Sequence, residues 1–216
     1  MLLSHNKQFL FVHIAKTGGT SIREALSQYR WGHRYAIAQF ISNKVSQFCG
    51  HKIGSRFPRH SRIIAAKEML PEEYFHGLYK FSVVRNPWDL QVSSYHHIKR
   101  ERPQVMKGHD TFERFMRWKF NPERPYQYHI DTSLQLQSDY LVDLQGNLLT
   151  DFIGHYENLQ EDFDAICSHL SIPTSILPHK RKATDRSRYQ GYYTDDLKRL
   201  VDNHFAKDIQ LLGYRF

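Results

Sequence analysis

The chain has 216 residues, 40% of them hydrophobic and 14% aromatic, which excludes a disordered chain and allows one domain with a substantial interior. No apolar run reaches the roughly 18–20 residues that span a bilayer, no basic stretch feeds an apolar core near the start, and two cysteines, Cys49 and Cys167, supply neither a disulfide framework nor zinc-ligand spacing, so a cytoplasmic protein is expected. The net charge of +8 points towards anionic ligands.

In chain order, residues 8–14 read as a buried strand, and a turn over residues 16–20 follows directly. Thr20 or Ser21 is positioned to cap a helix carrying Ile22, Ala25, Leu26 and Tyr29 at helical spacing. Between Glu24 and Glu68 there is no acidic residue, while Arg30, Arg34, Lys44, Lys52, Arg56, Arg59, Arg62 and Lys67 all fall there. A short strand is expected over residues 62–66 and a stronger one over 79–84. Pro87 suits the first turn of the helix that runs through Trp88, Val92 and Tyr95. Asp110, with Glu113 three residues on, resembles a capping box before Phe112, Phe115 and Met116.

Residues 140–144 and 148–153 flank Gln145-Gly146-Asn147, a hairpin signal. Leu159, Phe163, Ile166, Cys167 and Leu170 make an amphipathic helix that Pro173 ends. A second basic cluster follows at residues 179–182 with Arg186 and Arg188. Thr194 then caps a last helix with Leu197, Leu200, Val201 and Phe205 on one face. There is no internal repeat and no Gly/Ser linker, so residues 1–216 are expected to form a single domain. The predicted fold is α/β: a P-loop-like three-layer core with a central parallel sheet flanked by helices, plus a small hairpin.

The segment His13-Ile14-Ala15-Lys16-Thr17-Gly18-Gly19-Thr20-Ser21 joins strand to helix and has the chemistry of an anion site. Gly18 and Gly19 let backbone N–H groups turn inward, Lys16 supplies a point charge, and Thr17, Thr20 and Ser21 supply hydroxyl donors. It is not a Walker A loop, because Lys16 precedes the glycines instead of following them. A second anion-binding pair is Arg85, at the C-terminal end of a strand where α/β folds bind ligands, and Ser93, two turns into the next helix.

With both segments in view, the chain resembles the PAPS-dependent sulfotransferases (PAPS is 3′-phosphoadenosine 5′-phosphosulfate), particularly the carbohydrate type that includes heparan sulfate 2-O-sulfotransferase and bacterial relatives. HIAKTGGTS at residues 13–21 is similar to that family's 5′-phosphosulfate loop, and VVRNPWDLQVSSY at 83–95 to its 3′-phosphate site. Weaker similarity runs through residues 137–141, 152–159 and the C-terminal stretches, and His155 stands where relatives often carry arginine. The resemblance implies in-line transfer of a sulfuryl group from PAPS to an acceptor hydroxyl. Lys16 would stabilise the leaving oxygen, Gly18, Gly19, Thr20 and Ser21 would hold the 5′-phosphate, and Arg85 and Ser93 the 3′-phosphate. It implies a C-terminal loop near the nucleotide, for which Arg186 and Arg188 are candidates. It also implies a His or Glu base between the two motifs: His51 is preferred because Gly50 can turn it inward, with His60 and Glu68 as alternatives. The chemistry requires no metal.

The acceptor is expected to be a hydroxyl compound. An acidic saccharide suits the basic stretch, and a small alcohol or lipid-linked sugar suits the motifs equally. Two other classes compete. A P-loop-like nucleotide kinase or NTPase would need a lysine after the glycines and a strand-end aspartate for magnesium, and neither is apparent. A non-enzymatic polyanion-binding module would account for the basic stretches, but no helix-turn-helix or RNP signature points to nucleic acid.

Overall fold

The computed structural model describes residues 1–30, 57–177 and 188–216, with six further positions between 37 and 48. In chain order the strands and helices of the continuous stretches are β1 (Leu2–Ser4), β2 (Phe9–Val12), α1 (Gly19–Ala25), α2 (Ile63–Met69), α3 (Glu72–Gly77), β3 (Tyr79–Val84), α4 (Pro87–Glu101), α5 (Phe112–Lys119), α6 (Tyr128–Asp131), β4 (Phe152–His155), α7 (Leu159–His169), α8 (Asp195–His204) and α9 (Ala206–Leu212). The chain divides into two units. The first comprises Met1–Ile14, Gly18–Val83 and Tyr140–Pro178; the second comprises Ala15–Thr17, Val84–Asp139 and His179–Phe216.

The first unit is organised by a four-stranded sheet of order β1-β2-β3-β4. β1 runs antiparallel to β2, and β3 runs parallel to β2 with Phe9 opposite Tyr79 and Phe11 opposite Phe81. Alternation sends Phe9, Phe11, Phe81 and Val83 to one cluster, completed by Ile22 of α1, Leu26 just after it, and Phe163, Ile166 and Cys167 of α7. Leu10, Val12, Lys80 and Ser82, on the opposite face, are buried as well. A sheet covered on both faces explains why β2 and β3 read as nearly continuous apolar runs. Each buried Phe contributes about 1.5–3 kcal/mol of transfer free energy.

The second unit is helical. Trp88, Val92, Tyr95 and Ile98 of α4 pack with Phe112, Phe115 and Met116 of α5 and with Leu197, Val201 and Phe205 around α8. The Asn86 side chain caps α4 by accepting from the N–H groups of Trp88 and Asp89, with Pro87 in the first turn as the sequence predicts. Thr194 caps α8 by accepting from Leu197 N–H at 3.3 Å.

Four local expectations are corrected. Residues 62–66 are not a strand: Ile63–Met69 is helical, because Ala65, Ala66, Lys67, Glu68 and Met69 are good helix formers and burial falls on Ile63 and Ala66, three apart. α1 is not capped by Thr20 or Ser21. Gly18 takes the N-cap position with φ 79°, a left-handed turn open to glycine, so the helix starts before either hydroxyl can cap it. α5 is capped by Thr111, whose hydroxyl accepts from Arg114 N–H at 3.3 Å, and not by Asp110. The hairpin shrinks to one bridge, Val142 to Leu148, because Phe152–His155 joins the main sheet as β4 instead of returning along residues 140–144. Among the described residues no helix is long and apolar enough to cross a membrane.

Candidate active site

The loop between β2 and α1 departs twice from ordinary backbone geometry. Lys16 has φ 68° and Gly18 φ 79°. For a residue with a Cβ the left-handed region costs roughly 1–2 kcal/mol, so the Lys16 peptide must be held from outside. Within the second unit the holder is Arg85, whose Nη1 donates to the Lys16 carbonyl at 3.0 Å. The same Nη1 donates to Ser93 Oγ at 3.1 Å. Asp89, one turn along α4, receives Nε at 2.8 Å and Nη2 at 2.7 Å. Arg85 is 3% exposed, so this ion pair is shielded from water. The structure therefore brings Lys16, Arg85 and Ser93 together around one guanidinium, with Asp89, Ser93 Oγ and the Lys16 carbonyl among its acceptors.

Glycine at 18 and 19 has a steric reason within the first unit. A Cβ on Gly18 would lie 2.8 Å from Leu159 Cδ2, and one on Gly19 would lie 2.3 Å from His13 Cδ2. The His13 imidazole thus fills the space a side chain at 19 would need. Ser21 N–H donates to the Gly18 carbonyl at 3.0 Å, closing the turn; Thr17 and Ser21 are buried, and Thr20 is half-buried.

His13 also meets one of the predicted bases. The rings of His13 and His60 lie 4.7 Å apart, and His60 Nδ1 is 2.9 Å from the His13 carbonyl. A carbonyl only accepts, so His60 carries its proton on Nδ1 and keeps a lone pair on Nε2. Burial, and after it the charge of His60, brings His13 down to about 2. Burial also lowers His60, against a smaller opposing effect of its bond to the His13 carbonyl. Both imidazoles are neutral at pH 7. His13 Nδ1 is buried and has no hydrogen-bond partner among the described residues.

His51 and Arg186 lie outside the described residues; Arg188 is exposed, and Glu68 is exposed on α2. Four residues of this region were missed by sequence reasoning. Asp89 and Gln137 both hold Arg85: Gln137 Oε1 accepts from Arg85 N–H at 2.9 Å, and Gln137 Nε2 donates to its carbonyl at 2.7 Å. Asp89 was visible as the residue four after Arg85, ion-pair spacing on a helix. His13 was inside the quoted loop. Lys119, fully buried, donates to Gln91 Oε1 at 2.6 Å, Ser133 Oγ at 2.8 Å and Ser94 Oγ at 3.0 Å, next to Ser93 on α4. Burial pushes its pKa well below the usual lysine range.

A lysine-and-glycine loop between strand and helix, tied to a strand-end arginine, has the chemistry to hold an anionic ligand. The model of the sulfotransferase family matches residues 1–215, and the chain belongs to that family. The crystal structure of mouse sulfotransferase SULT7A1 complexed with PAP is similar to it with a TM-score of 0.46 and 16% identity, over 96% of this chain and 86% of that one. Among curated proteins none matches the sequence.

Proposed function

We propose that the protein transfers a sulfuryl group from PAPS to an acceptor hydroxyl, on a carbohydrate of the kind used by 2-O-sulfotransferases, by in-line displacement within one sulfotransferase domain. The observation that carries this is the hydrogen bond from Arg85 to the Lys16 carbonyl, which joins the two phosphate motifs through a single side chain. The donor set fits a nucleotide with phosphates at both ends. Lys16, Thr17, Gly18, Gly19, Thr20 and Ser21 would hold the 5′-phosphosulfate in a P-loop-like turn, and Arg85 and Ser93 the 3′-phosphate, with Arg186 and Arg188 as further candidate ligands. Lys16 would stabilise the charge that develops on the bridging oxygen, where a fixed cation acts on the transition state.

The proton of the acceptor hydroxyl goes to a histidine. We assign it to His60 ahead of His51, because the bond from His60 Nδ1 to the His13 carbonyl fixes the tautomer that leaves Nε2 free to accept. The free, buried Cys167 is compatible with a cytoplasmic setting. The test is transfer of labelled sulfate from PAPS to a panel of saccharides, alcohols and lipid-linked sugars. Transfer to saccharides supports the proposal, whereas turnover of ATP without sulfuryl transfer would refute it.

A further inference from the structure

β3 ends at Val84, so the N–H and carbonyl of Arg85 lie beyond the sheet and, buried, must find partners elsewhere. Gln137 supplies both from one planar amide, accepting from the N–H at 2.9 Å and donating to the carbonyl at 2.7 Å. A side-chain amide thus takes the place of a neighbouring strand. Gln137 is itself anchored: its backbone N–H donates to Asp208 Oδ2 at 2.7 Å, and Ser138 N–H donates to Asp208 Oδ1 at 2.9 Å. Asp208, in the first turn of α9, is 0% exposed and Gln137 is 1% exposed. A continuous chain of hydrogen bonds therefore runs from α9 through Gln137 to the Arg85 main chain, and through its guanidinium to Asp89, Ser93 and the Lys16 carbonyl.

We infer that Gln137 and Asp208 are positioning residues for nucleotide discrimination: they fix the Arg85 main chain so that its guanidinium recognises the 3′-phosphate. This rests on the reading of Arg85 and Ser93 as the 3′-phosphate site. No other side chain of this size fills the role of Gln137. Glutamate offers two acceptors and sets one against the Arg85 carbonyl, and leucine leaves both main-chain groups unpaired in the interior. A protonated glutamic acid, with one donor and one acceptor, restores the pattern.

The test is calorimetric binding of PAP and of AMP, which lacks the 3′-phosphate, to wild type, Gln137→Leu, Gln137→Glu and Asp208→Asn, each checked for folding by circular dichroism. Wild type is expected to favour PAP over AMP. Gln137→Leu should lose about tenfold or more of that preference, PAP affinity falling by more than AMP affinity, and Asp208→Asn should shift it in the same direction by less. If Gln137→Leu does not fold, Gln137→Glu carries the test. Its preference, relative to wild type at the same pH, should be poor at pH 8 and recover towards pH 5. A general structural role would weaken PAP and AMP by equal factors and show no such recovery. Wild type that does not distinguish PAP from AMP removes the 3′-phosphate reading itself. Wild type that does distinguish them, with variants keeping its ratio within about twofold, overturns the inference about Gln137 and Asp208 alone.

Discussion

The guanidinium of Arg85 donates to the main-chain carbonyl of Lys16 at 3.0 Å, so the arginine of one motif holds the strained backbone of the other. The two residues are 69 positions apart in the chain. Removing Arg85 therefore takes away more than the proposed phosphate ligand: it releases the φ 68° turn that aims Lys16.

Coupling between these residues follows. Lys16→Ala should cost about 2–4 kcal/mol of transition-state stabilisation, mostly in kcat, as for a preorganised charge donor. Arg85→Ala should lower both PAP affinity and kcat. The double variant should lose less than the two single losses together, because Lys16 without Arg85 is already misdirected. Strict additivity in single-turnover rates would show that the bond does not position Lys16.

His60→Ala should fold and bind PAP yet lose transfer with every acceptor, while His51→Ala should keep most of its rate. The wild-type rate should rise with pH through a group titrating below the ordinary histidine range, since burial lowers His60. A His60→Ala enzyme with full activity and an unchanged pH profile would return the role to His51 or Glu68.

Gly19→Ala should destabilise the protein by about 1–3 kcal/mol, the usual cost of overpacking, since the new Cβ meets the His13 ring at 2.3 Å. Adding His13→Ala removes the obstacle. Urea unfolding should then show the double variant to be more stable than the sum of the single losses predicts. Simple additivity would mean that Gly19 is required by something other than the imidazole.

Acid should weaken the fold through the two histidines. Both have folded pKa values below the unfolded value of about 6.5, His13 at about 2. The unfolded chain then binds protons that the native state refuses, so stability is fully present above pH 6.5 and falls as pH drops. His13 alone gives a slope of up to about 1.4 kcal/mol per pH unit. The measurement is the urea midpoint between pH 7.5 and 5. His13→Phe should flatten it, and an unchanged slope would assign acid sensitivity to other groups.

The sequence alone determined what is local. The alternation-free runs that became β2 and β3, the Pro87 and Thr194 helix starts, and the lysine, glycine and hydroxyl chemistry of residues 16–21 all depend on neighbours within a few positions. It misjudged residues 62–66 because two isoleucines outweighed the helix formers after them, and only burial of Ile63 with Ala66 distinguishes the cases. Tertiary structure decided the rest. His60 reaches the carbonyl of His13 across 47 residues, and Gln137 clasps Arg85 across 52. A glutamine or histidine in a polar stretch carries no signal of such a partner. Its role is set by which orphaned main-chain group the folded chain brings within about 3 Å.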